Sequence, residues 1–188
     1  MKKVFKVVVI ATMAAALVIA ALFFFKLMPG QELGPITGRS PEAELEGPRI
    51  IDLYFADAEG RRLALETREV TTQSVEESIH QAIRELIAGP RKESLSSTVP
   101  EGVGIRSVYY RDDIAYIDLT PNISSSHPGG SWAELLTVYS IINTVTANFS
   151  EVRKVQILLG GREHETLAGH IDISRPLPGR VQLLAGDW

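Results

Sequence analysis

The sequence predicts an α+β domain: a mainly antiparallel sheet covered on one face by two helices, in the order ββαββαββ, preceded by one transmembrane helix. Three observations carry this reading. Six segments alternate apolar and polar residues with period two, the mark of strands that bury one face. Two segments repeat apolar residues at helical spacing behind capping signals. Val7 to Phe25 is an apolar run with Thr12 as its single polar member.

At about 1.5 Å per residue that run would reach roughly 28 Å, close to the thickness of a bilayer's hydrocarbon core. Lys2, Lys3 and Lys6 precede it, so the N-terminus is expected in the cytoplasm and everything after Met28 outside it. A cleaved signal peptide would have a shorter apolar region and small residues at its end. Phe23, Phe24, Phe25 and Lys26 stand there instead. Residues 1–28 are therefore read as a cell-membrane anchor. Residues 29–48, punctuated by Pro29, Gly30, Gly34, Pro35, Gly38 and Pro41, read as a flexible linker. Residues 49–177 are the expected domain and 178–188 a tail.

Within the domain, Ile51, Leu53 and Phe55 share one face of a first strand, with Asp52 and Tyr54 on the other. Asp57 to Gly60 suits a hairpin, and a second strand covers about 62–69 with Leu63 and Leu65 inward. Ser74 and Glu77 make a capping box. Val75, Ile79, Ala82, Ile83, Leu86 and Ile87 follow at helical spacing, up to the stop at Gly89-Pro90. Strands over about 105–111 and 114–119 join at Asp112-Asp113, and a Ser-, Pro- and Gly-rich loop runs from Thr120 to Gly130. The second helix begins at Ser131, with Glu134 at the capping-box position. It is apolar nearly all round, which predicts burial on several sides. Strands over about 153–159 and 167–173 complete the order, and Pro176 and Pro178 end the last one.

The chain contains no cysteine, so thiolate catalysis, disulfides, cysteine-ligated metals and a lipid-modified cysteine are excluded. Beyond Met28 it carries 15 basic residues against 23 acidic, a poor composition for binding nucleic acid. Ser96-Ser97 and Ser124-Ser125-Ser126 beside His127 offer hydroxyls, but no nucleophile-elbow sequence is present. Glu163-His164-Glu165 and His170-Ile171-Asp172 lack the spacing of a metal motif and read as solvated loops. His80 reads as solvated too. Asp118 and Asp172 could form a carboxylate pair for glycoside cleavage, although surface aspartates are the simpler reading. No phosphate-cradling motif occurs, and neither cofactor nor metal is expected. Trp132 and Tyr139 are expected in the core. Tyr54, Tyr110 and Tyr116 would share the uncovered sheet face, where exposed aromatics suit an interface. The residues expected to face a partner are Tyr54, Tyr116, Asp118, His170 and Asp172.

Several stretches, in the right order, resemble the GerMN domain, the sporulation and spore germination family. They are Leu53 to Asp57 with Gly60 and Leu63, Glu77 through Leu86 to Pro90, Leu95 to Pro100, and Ala115 to Leu119. Val138 to Val145, Lys154 to Leu158 and Gly169 to Leu177 complete the set. The resemblance implies an α+β domain similar to ring-building motifs, located outside the cytoplasm. It also implies a non-enzymatic part in envelope assembly. The expected partners are an envelope protein or a second copy of the chain, with peptidoglycan as the alternative ligand.

Overall fold

The computed structural model describes residues 47–72 and 74–184. The expected anchor, most of the linker and the last four residues lie outside the described residues. Among those described, no helix is long and apolar enough to cross a membrane.

Strand β1 (Gly47–Asp57) turns through a hairpin into β2 (Leu63–Thr72). Gly60 takes the positive φ that closes this turn, at +64°. Helix α1 (Val75–Ile87) follows. Ser74 caps it, its hydroxyl accepting from the Glu77 N–H at 3.1 Å. A two-residue strand β3 (Leu95–Ser96) returns to the free side of β1, giving a sheet of order β2-β1-β3. Strands β4 (Ile105–Arg111) and β5 (Ile114–Leu119) form a second hairpin. Asp112 and Asp113 both take positive φ, 50° and 61°, as a two-residue type I′ turn requires. The short helix α2 (Asn122–Ser126) and the long helix α3 (Ser131–Asn148) carry the chain across to β6 (Lys154–Leu159), which pairs parallel to β5. Strand β7 (Leu177–Pro178) closes a second sheet of order β4-β5-β6-β7.

Five expectations need correction. First, the strands form two sheets, of three and four strands, rather than one. Second, residues 167–173 are not a strand. They form no regular ladder, and the stretch shows one isolated bridge, between Thr166 and Asp172. The last strand is Leu177–Pro178, where the prolines were expected to end one. Third, the polar loop from Thr120 to Gly130 contains α2, pinned by fully buried Ile123. Fourth, β2 turns Glu66, Arg68 and Val70 inward, while Leu65 is 44% exposed. Register explains this: Leu53 pairs with Glu66 and Ile51 with Arg68, and directly paired residues point to the same face. Fifth, Trp132 is 48% exposed rather than buried, whereas Tyr139 does lie in the core.

Helix α3 is buried from Leu136 to Val145, as its apolar circumference requires. Its polar residues also bind the free edge of β1. The Asn148 amide donates to the Asp52 carbonyl at 2.7 Å and accepts from the Asp52 N–H at 2.8 Å. Thr144 accepts from the Tyr54 N–H at 3.2 Å. A side-chain amide thereby stands in for a neighbouring strand and keeps this edge from pairing with another chain. Within the stretch expected to be a tail, Val181–Leu183 forms a 3₁₀ turn, Leu183 is buried, and Leu184 bridges to Leu63.

Candidate functional site

The second sheet turns Ala115, Ile117 and Leu119 of β5, with Val155 and Ile157 of β6, into the core. Its outer face follows from register. Ser107 pairs with Asp118 and Tyr109 with Tyr116, while Tyr116 pairs with Gln156 and Asp118 with Leu158 across β6. The segment after β6 covers part of this face. The Gly161 N–H donates to Asp118 at 2.7 Å, and the Gln156 amide donates to the Ile173 carbonyl at 2.8 Å. Arg106 reaches over from a bulge in β4 to bond the other Asp118 oxygen at 2.9 Å. What stays open is β4, the outermost strand, where Tyr109 is 59% exposed.

The expected partner-facing residues do not gather into one patch. Tyr116 is half-buried beside Tyr109. Asp118 and Tyr54 are buried, against their alternation. Tyr54 lies in the other sheet, and burial, aided by the Asp52 carboxylate, pushes its phenol above the ordinary value. Tyr110 points to the core side of β4, and its hydroxyl donates to the Glu151 carbonyl. Asp172 is exposed and bonded by the hydroxyl and N–H of Ser174. That hydroxyl bond first, then the N–H, holds its carboxyl below the usual value.

His170 leads to a feature that sequence reading missed. Glu134 is fully buried at the start of α3. Its carboxylate does not cap its own helix, because Gly130 is the N-cap and makes no side-chain bond there. It accepts instead from the backbone N–H groups of Leu167, Ala168 and Ile171 on one oxygen, at 3.1, 2.8 and 3.2 Å. The second oxygen bonds the N–H and the ring Nδ1 of His170, at 2.9 and 3.0 Å. Burial alone would raise the pKa of Glu134; the Ala168 and Ile171 donors and His170 outweigh it and hold the carboxylate below its ordinary value.

A second buried ionic knot ties β2 to α1. Arg68 donates to Glu66 at 2.6 and 2.8 Å, to the Glu85 carboxylate at 2.9 Å and to the Gly89 carbonyl at 2.6 Å. The N–H groups of Arg91 and Lys92 bond the other Glu66 oxygen. Glu85, half-buried on α1, is the outer member of this knot.

His127 accepts the Gly129 N–H at Nδ1 and bonds the Thr137 hydroxyl through Nε2. Glu163, His164 and Glu165 are all exposed. Among the described residues, no three His, Asp or Glu side chains converge as a metal-binding set.

The model of the Germane family, described as sporulation and spore germination, matches residues 52–165. That is more than half of the chain. The chain belongs to the Germane family. The family connects it to sporulation or spore germination. Its fold is shared with solved structures of other proteins. A candidate lipoprotein of Clostridium perfringens is 29% identical with a TM-score of 0.53, over 70% of this chain and 88% of that one. The first GerMN domain of the sporulation protein GerM from Bacillus subtilis is 22% identical with a TM-score of 0.53, over 69% and 97%. The tandem GerMN domains of the same protein are 17% identical with a TM-score of 0.55, over 70% of this chain and 46% of theirs. None of the curated proteins compared is significantly similar.

Proposed function

We propose that this Germane chain is a non-enzymatic component of the bacterial envelope, concerned with sporulation or germination. In this reading Val7 to Phe25 holds it in the cell membrane, the domain lies outside the cytoplasm, and it acts by binding a protein partner. The observation that carries the binding role is the outer face of β4. It combines an edge strand with a 59% exposed tyrosine beside half-buried Tyr116 and the Arg106 guanidinium. Tyr and Arg are the residue types that most often anchor interfaces. The use made of the buried acids supports binding over catalysis. Glu66, Asp118 and Glu134 are each bonded to donors that hold the fold together.

Residues 1–28 account for the anchor, and the candidate lipoprotein among the relatives is consistent with an envelope setting. Protease added to protoplasts tests the topology. The reading predicts loss of the domain and a membrane-bound N-terminal stub. A soluble, N-terminally trimmed chain in the medium contradicts it.

A further inference from the structure

We propose that the groove between β3 and the start of α3 binds a neutral amino-sugar ring of a glycan strand, with Trp132 as the stacking platform. The groove encloses about 260 Å³, and Ala56, Ser96, Ser97, His127, Trp132 and Leu136 are among the residues that line it. Trp132 is 48% exposed. Its indole N–H donates to the Gly60 carbonyl at 3.0 Å, so its one polar atom is committed and the ring is held in place. It therefore offers solvent a fixed, flat apolar face, which suits the C–H face of a pyranose.

The polar groups around this platform divide into two sets. The Thr98 hydroxyl donates to Ser140 at 2.7 Å, and the Thr137 hydroxyl donates to the Thr98 carbonyl at 2.6 Å. Both ring nitrogens of His127 are engaged as well. Ser96 and Ser97 are exposed, and no hydrogen bond among the described residues uses their hydroxyls. Each of these hydroxyls can donate and accept. A sugar carrying hydroxyl and acetamido groups matches both capacities, whereas a proline-rich peptide, which would also stack on a tryptophan, offers mainly carbonyl acceptors.

No charged side chain lines the groove, and burial keeps His127 inclined to the neutral form. An uncharged lining offers nothing to offset the desolvation of an anion. Ala56 and Leu136 supply an apolar floor for the methyl of an acetamido group. Mostly apolar walls with a few placed polar groups are the usual character of a small-ligand site. The site shares no residue with the β4 surface, so it stands or falls independently of the protein-partner reading.

The test uses the full chain carrying Trp188→Phe, purified in a non-glycosidic detergent, so that indole emission reports Trp132. Chitotetraose is the probe, and a proline-rich peptide is the control. The proposal predicts a saturable change in emission with chitotetraose and none with the peptide. It further predicts about tenfold weaker binding in the Ser96→Ala/Ser97→Ala variant at an unchanged melting temperature. A flat chitotetraose titration overturns the proposal. So does equal affinity in the serine variant, or saturation by the peptide alone.

Discussion

Glu134 grips His170 twice, through the backbone N–H and through ring Nδ1, with one carboxylate oxygen at 2.9 and 3.0 Å. Together with three further N–H groups, this pins residues 167–171 to the first turn of α3. The pin replaces the regular strand that the alternation of Leu167, Ile171 and Ile173 had suggested. Glu134→Gln keeps the size but puts an N–H₂ where an acceptor is needed. It should cost about 3 kcal/mol in denaturant unfolding. Amide exchange should quicken at 167–171 before it does so elsewhere.

Acid should unfold the domain in two stages. His127 is held below its ordinary value of 6.5, chiefly by burial, so its contribution is complete above about pH 6.5 and fades below it. Glu66 and Glu134 are held below 4.5 by their donors against burial. Their contribution is present above about pH 4.5 and is lost as pH falls through their lower native values. Stability measured against pH should show a shallow decline below 6.5 and a steeper one below 4.5. His127→Gln should remove the first stage and leave the second.

Arg68→Met leaves Glu66 buried with its charge uncompensated and should cost about 4 kcal/mol. Glu85→Ala removes one of several Arg68 bonds and should cost about 1 kcal/mol. Ile142→Asp buries a charge in α3, where Ile142 is fully buried, and should leave the domain unfolded at room temperature. Thermal melts of the three variants check this order.

Asn148→Leu should cost about 2 kcal/mol by stranding both polar groups of Asp52. It should also free the β1 edge for pairing. Concentration-dependent association of this variant, absent from the parent, would register by light scattering.

Much of the fold was legible in the sequence because local chemistry dictated it. The Ser74 cap, the Gly60 hairpin, the Asp112-Asp113 turn and the apolar circumference of α3 each act within a few residues. What was hidden depends on distant partners. Glu66 and Arg68 neutralise each other, so β2 carries charges inward and a residue-by-residue reading assigns the wrong face. Glu134 sits three residues after Ser131 and imitates a capping box, yet its donors lie more than thirty residues away. Tyr109, the most open part of the candidate surface, is hidden in the sequence, because Val108, Tyr109 and Tyr110 follow one another and alternation alone does not fix the parity of β4. Its register against β5 decides that parity. Residue type alone points Trp132 to the core, whereas its indole N–H reaches the Gly60 carbonyl and the ring stays 48% exposed.

The central claim is that the outer face of β4 meets a protein. A photo-crosslinking residue placed at Tyr109 in the full chain tests it in native membranes, from both growing and sporulating cells, with the same residue at Glu93 as an exposed control. The account predicts a discrete crosslinked species from position 109, either one envelope protein or a dimer of the chain, and none from position 93. Absence of any species from position 109 in both cell states, or the same species from both positions, would contradict it.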